Sequence, residues 1–187
     1  MSTFEPTNFR IFITRFLGSF ITDFYKEYID SLPIKGNENI LEFGSGSGVC
    51  SRMLSKKISQ QGHLTCVDIS SRWLDVTRKV VDEVSKVTLL QGAIWDVPVS
   101  DESQQIVFIH FVLHDIPPEE RSRVFQTLCC KLAPGGLIIL REPDSRGGYS
   151  PEWAKMQAAE NGLEEISSTH QRTWYTGDMT SFIFRKT

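Results

Sequence analysis

The chain has 187 residues, 40% of them hydrophobic and 23% charged, with a formal net charge of −3. That length supports one domain with a real core, and the composition is that of an ordinary globular protein. No basic run exceeds two residues, as at Lys56-Lys57, which excludes a dedicated nucleic-acid surface; the apolar stretch Phe9 to Ile21 contains Arg10 and Arg15 and is too short to be a membrane span.

After a polar start, residues 8–31 are predicted helical with a break near Gly18, and Phe12, Phe16, Phe20 and Phe24 fall every four residues on one face. Pro33 and Gly36 end this region. A first strand is predicted over 39–43, followed by Gly44, Gly46 and Gly48 and a helix carrying Val49, Cys50, Met53, Leu54 and Ile58 that stops near Gly62. Leu64 to Asp68 reads as a second strand. Ser70 and Ser71 are N-cap residues for a helix carrying Trp73, Leu74, Val76, Val80, Val81 and Val84.

Val87 to Leu90 form a third strand, and residues 93–104 are mostly loop. The apolar run Ile106 to Ile109 fits a central parallel strand. Pro117-Pro118-Glu119-Glu120 opens a helix with proline and acids in its first turn. Pro134-Gly135-Gly136 breaks it, and Leu137 to Leu140 is a fifth strand. A helix from Pro151 to Asn161 ends at Gly162. Two last strands, about 164–172 and 179–185, are joined by a turn at Thr176-Gly177-Asp178 and must run antiparallel.

This alternation predicts an α/β fold: a doubly wound, Rossmann-like sheet of seven mostly parallel strands with an antiparallel last strand. Residues 1–37 form an N-terminal helical cap and 38–187 a single ligand-binding domain. The ligand belongs at the C-terminal ends of the strands, beside the first. Cys50, Cys66, Cys129 and Cys130 have no CxxC spacing, and His63, His110, His114 and His170 complete no zinc pattern with them. No metal is expected, and the cysteines read as reduced thiols in a cytoplasmic protein.

The stretch from Asn39 to Cys50 carries the chemistry. A strand that turns through glycines into a helix lets a ligand approach bare backbone and points free N–H groups at it. The dinucleotide fingerprint needs its third glycine five residues after the first. Here that position is Val49, and an acid, Glu42, stands directly before the loop.

Glu42-x-Gly44-x-Gly46-x-Gly48 resembles motif I of the class I S-adenosylmethionine (SAM)-dependent methyltransferases, and the likeness extends in order over residues 38–187. Leu113-His114 and Leu132-Ala133-Pro134-Gly135-Gly136 resemble segments of the small-molecule enzymes related to the ubiquinone and menaquinone pathways. The resemblance implies SAM as methyl donor, S-adenosylhomocysteine as product and a small apolar or aromatic acceptor. By it, Glu42, Gly44, Ser45, Gly46 and Gly48 would hold the methionine part, and Asp68 both ribose hydroxyls. Ile69 would lie against the adenine. Gly92 to Pro98 matches the loop at the adenine amino group, where Ala93 replaces the usual acid, leaving backbone near Ile94 or the Asp96 carboxylate to read the base.

His110, ending the fourth strand, would face the cofactor sulfur, as a catalytic base or as a shaper of the pocket. His114 has the same two readings. Glu142 and Asp144 would point into the acceptor pocket or pair with Arg141 and Arg146 in solvent. Glu42 would touch the cofactor or brace the loop. The rival classes are an NAD-dependent oxidoreductase, since Asp68 also suits a nicotinamide cofactor's ribose, and a SAM-binding protein without turnover.

Overall fold

The structure is a computed structural model that describes residues 5–7, 22–81, 86–173 and 176–187. Phe12, Phe16 and Phe20 of the predicted stripe, Val84, and Trp174 and Tyr175 just before the predicted last turn lie outside those residues. The chain divides into two compact units, Met1–Val97 and Pro98–Thr187.

In the first unit the apolar runs become three parallel strands, β1 (Asn39–Phe43), β2 (His63–Asp68) and β3 (Val87–Gln91), in the order β3-β2-β1. Ile40, Leu41, Leu64, Cys66 and Val67 are wholly buried, as both-face coverage of parallel strands requires. Among the described residues this unit holds three helices: α1 (Thr22–Ser31), α2 (Val49–Lys57) and α3 (Ser71–Arg78).

Both α2 and α3 are shorter than periodicity predicts. Ile58 leaves helical geometry (φ −69°, ψ 122°), and the Ser59 N–H turns to the Gly36 carbonyl at 2.7 Å. Gly36 has φ +97° and lies so close that a Cβ there would stand 2.4 Å from the Lys57 carbonyl oxygen. Helix α3 begins at the predicted cap, the Ser70 hydroxyl accepting the Trp73 N–H at 3.2 Å. It ends at Arg78, where the Lys79 and Val80 N–H groups tighten onto the carbonyls three residues back, Val76 at 3.1 Å and Thr77 at 3.0 Å.

The second unit holds β4 (Gln104–His110), β5 (Leu132–Pro143), β6 (Leu163–Thr173) and β7 (Gly177–Lys186) in the order β4-β5-β7-β6. Strands β4 and β5 are parallel, and β7 runs antiparallel to both β5 and β6. Helices α4 (Pro118–Lys131) and α5 (Pro151–Glu160) start on the prolines that the sequence marks. A 3₁₀ turn, Leu113–Asp115, was not anticipated.

Strand β5 is three times the predicted length. Leu132 pairs with Gln104, the register then shifts, and Pro134-Gly135-Gly136 forms an irregularity inside the strand. At the other end Arg141, Glu142 and Pro143 pair with Ser181, Thr180 and Met179 of β7. Hydrophobicity marks only the buried middle of a strand; its polar ends are set by the neighbour's free N–H and C=O groups. Among the described residues no helix is long and apolar enough to cross a membrane.

Candidate functional site

Gly44, Gly46 and Gly48 all adopt left-handed backbone, with φ of 76°, 48° and 74°, but they do so for different ends. Gly48 precedes α2, and a Cβ there would meet Val80 Cγ2 at 2.6 Å and Thr77 Cα at 2.9 Å. Its bareness serves helix packing. Among the described residues, a Cβ on Gly46 would meet nothing nearer than the Gly44 carbonyl oxygen at 3.9 Å. The space beside Gly46 is therefore open, which suits a ligand lying along the backbone. The Gly44 N–H is tied to the Val67 carbonyl at 2.7 Å, and Ser45 between them is buried.

Asp68, the last residue of β2, sits opposite this loop. Its Oδ2 accepts the Gly46 N–H at 2.8 Å and its Oδ1 the Ser70 N–H at 2.9 Å. Burial raises its pKa, and the N–H groups of Ser70, Gly46 and Ile69 pull the other way. Each carboxylate oxygen accepts more than one hydrogen bond, so both retain capacity for a vicinal diol. Ile69 follows, half-exposed. Ala93 is half-exposed as well, whereas the Ile94 side chain is in the core at 1% exposure, so only its backbone is offered. Asp96 is exposed, and its N–H closes a turn onto the Ala93 carbonyl at 2.9 Å. The Gly92 N–H bonds the Asp68 carbonyl at 3.1 Å, binding the exits of β3 and β2 together.

Glu42 is 3% exposed, and the Cys66 thiol donates to its Oε2 at 3.2 Å. Burial is the main cause of its shift and lifts its pKa to about 7, against the opposing effect of Ser51 and Cys66 and with added repulsion from Asp68. Such a carboxyl is poised for a cation, because a positive charge would offset its desolvation. Glu5 joins this region with no warning from the sequence. Its carboxylate accepts from the Ser70 hydroxyl at 2.7 Å and the Ser71 N–H at 3.1 Å, and Arg72 Nη1 donates to the Pro6 carbonyl at 2.5 Å. Contacts spanning 65 and 66 residues leave no local pattern to read.

In the second unit, the C-terminal end of β4 carries His110 and then Phe111. Burial, and next the Arg141 guanidinium, hold the His110 pKa down to about 3. Phe111 has φ +57°, its N–H bonds the Arg141 carbonyl at 2.9 Å, and its ring centroid is 4.1 Å from that of His110.

Glu142 takes neither of its two predicted roles. It is fully buried, and Oε1 accepts the N–H groups of Val112 and Leu113 at 2.6 and 2.7 Å. Oε2 accepts the His114 N–H at 3.4 Å and faces His114 Nδ1 at 2.6 Å. His114 is thus an anchor of the turn. Arg141 is 1% exposed, far from solvent, and donates to Gln171 Oε1 at 2.6 Å. Asp144 accepts from the Thr180 hydroxyl at 3.1 Å and stands 3.5 Å from His170 Nε2. All four cysteines are free thiols, with Cys130 alone exposed. Among the described residues no cluster of His, Cys, Asp or Glu could hold a metal ion.

Comparison with known proteins places this geometry. A family described as "Methyltransferase domain" matches residues 40–136. Carboxy-S-adenosyl-L-methionine synthase of Aliivibrio fischeri is 30% identical over 58% of this chain and 46% of its own length. Demethylmenaquinone methyltransferase of Listeria welshimeri is 30% identical over 60% of this chain and 48% of its own. The alignments therefore span about half the length of these relatives. A SAM-dependent methyltransferase from Aquifex aeolicus superposes with a TM-score of 0.73 at 14% identity, covering 87% of this chain and 89% of that one. The likeness establishes the doubly wound, Rossmann-like fold that the strand alternation predicts.

Proposed function

This chain belongs to the methyltransferase-domain family, and we propose that it transfers the methyl group of SAM to a small-molecule acceptor by in-line displacement. The observation that carries the reading is the pairing of Gly46, open among the described residues, with Asp68, a carboxylate that accepts the Gly46 and Ser70 N–H groups and keeps room for more. Gly44 to Gly48 would receive the methionine part, Glu42 its ammonium group, and Asp68 the ribose diol. Ile69 would cover one face of the adenine, with the backbone at Ala93 and Ile94 at its edge. When bound, the sulfonium supplies an already electrophilic methyl carbon, so the protein's task is alignment and exclusion of water.

His110 belongs to the acceptor's side of the reaction. A group that gives up its proton near pH 3 makes a poor store for the acceptor's proton at neutrality. We assign it instead as a neutral imidazole that orients the acceptor by a hydrogen bond. The acceptor is a small apolar or aromatic molecule rather than a nucleic acid, and free thiols suit a cytoplasmic setting.

Calorimetric titration with SAM and with NAD tests the cofactor. Micromolar SAM binding with no NAD response is the expected result, and the reverse would return the oxidoreductase reading. One of the relatives is named for making a carboxylated SAM, so mass spectrometry of the turnover products is the second test. A methylated acceptor with S-adenosylhomocysteine supports methyl transfer. An altered SAM with no methylated product supports a cofactor-modifying activity, and neither product supports a binding protein.

A further inference from the structure

We propose that β6 is an interaction edge, and that it pairs antiparallel with β6 of a second copy of this chain about a twofold axis at Thr169. In the second unit β6 ends the order β4-β5-β7-β6, and among the described residues it pairs along one side only, with β7. Every residue from Glu164 to Arg172 is exposed. The outer side of such a strand presents a row of backbone N–H and C=O groups, which is a template for another strand.

Edges are ordinarily guarded by proline, lysine or a bulge. Strand β6 has one guard, a bulge at Ile166, where the register shifts between Glu165 and Ser167. Beyond it, Ser167 to Thr173 pair residue for residue with Ile183 to Gly177, and no proline, lysine or carboxylate stands among them. That straight run is open to pairing.

The bulge also sorts the charges. Opposed residues of paired strands share a face of the sheet. Glu165, Ser168, His170 and Arg172 oppose Phe184, Phe182, Thr180 and Asp178, which are alternate residues of β7. All four therefore lie on one face, although Glu165 and Arg172 would fall on opposite faces of an unbulged strand. Glu165 has Lys155 Nζ at 3.2 Å, and Arg172 Nε stands 3.8 Å from Asp178 Oδ1. Both are surface pairs of little strength, so each charge can take a second partner.

A strand with an acid near one end and a base near the other is complementary to its own reverse. Antiparallel pairing centred on Thr169 sets His170 against the partner's Ser168 and Gln171 against the partner's Ser167. It sets Arg172 against the partner's bulge, where Glu165 shares its face. The axis makes that Arg172–Glu165 contact twice. Parallel pairing in register would oppose like charges at both ends, which is unfavourable. The small side chains of Ser167, Ser168 and Thr169 let the two edges approach, and Ile166, 42% exposed, gains cover from the partner.

Sedimentation velocity on the full chain, from about 5 to 200 μM, tests the pairing. Wild type is expected to show a monomer–dimer equilibrium with a Kd on the order of 10–100 μM, as suits a contact at the small end of specific interfaces. Glu165→Lys and Arg172→Glu should each weaken it about tenfold, by opposing like charges twice. Mixing these two variants in equal amounts should restore a dimer, because both contacts of the mixed pair are then attractive. Circular dichroism checks that both variants fold. Thr169→Cys should form a reducible dimer on mild oxidation, with wild type, which has its own exposed Cys130, as the control. A wild type that stays monomeric throughout overturns the self-pairing, as does a dimer indifferent to both charge changes. A mixture that stays monomeric, or a Thr169→Cys chain that does not cross-link beyond wild type, overturns the antiparallel arrangement about Thr169.

Discussion

Glu142 in the second unit and the pair Glu42 and Asp68 in the first are buried carboxylates that the fold treats in opposite ways. Glu142 is saturated: three backbone N–H groups and an imidazole converge on its two oxygens. Asp68 accepts the Gly46 and Ser70 N–H groups, one on each oxygen, with a lesser contribution from the Ile69 N–H and no side-chain partner among those hydrogen bonds. Glu42 has a thiol at 3.2 Å, a weak donor, and its pKa rises to about 7. A carboxylate whose hydrogen-bonding capacity is filled by its own chain holds the structure together. One left partly unfilled in a buried place is destabilising until a ligand completes it, which is the ground for proposing the ligand there.

The largest effect should come from breaking the saturated member. Glu142→Ala leaves three N–H groups and the His114 ring without their acceptor, and should cost about 3–4 kcal/mol in urea unfolding. A loss below about 1 kcal/mol would mean that water replaces the carboxylate and that the contrast is false. Next comes Asp68→Ala, which should weaken SAM binding about 100-fold by calorimetry, through two charge-assisted hydrogen bonds to the diol. Its stability loss should be smaller, near 1 kcal/mol, because its N–H partners are not joined by a buried imidazole as they are at Glu142.

The glycines sharpen the comparison further. Gly48→Ala drives a Cβ to 2.6 Å from Val80 and 2.9 Å from Thr77 Cα, and should lower stability by about 2 kcal/mol. Gly46→Ala has space around it and should cost about 1 kcal/mol through its positive φ, while reducing SAM affinity more than fold stability.

Glu42→Gln should give the smallest effect, and one of opposite sign. In the folded protein Glu42 keeps its proton up to about pH 7, against an ordinary value of 4.5. Between those values the native state binds a proton that the unfolded chain has released, so stability is full below 4.5 and declines as pH rises through about 7. The glutamine variant should lose that slope, gain about 1 kcal/mol at pH 8, and bind SAM about tenfold less well. Urea midpoints measured across that range check the first two effects.

Much of this was legible in the sequence because it rests on local rules. Ser70 caps α3 and Pro118 opens α4 as their residue types require. The positive φ angles at Gly44, Gly46 and Gly48 follow from glycine placed between a strand and a helix. Other features were not legible. Glu142 and His114 are 28 residues apart, and nothing in either neighbourhood marks them as partners. The left-handed Phe111 breaks the expectation for its residue type, so propensity argues against what the fold imposes there.

The residues by themselves determined the order of strands and helices, the glycine turn after β1 and the acid that ends β2. Those depend on periodicity and on backbone preferences acting over a few residues. Tertiary structure alone decided which carboxylate is filled and which is left wanting, how basic His110 is, and that one of the glycines serves packing while another leaves room for a ligand. Those properties depend on desolvation and on atoms brought close from distant parts of the chain, and neither is encoded at any single position.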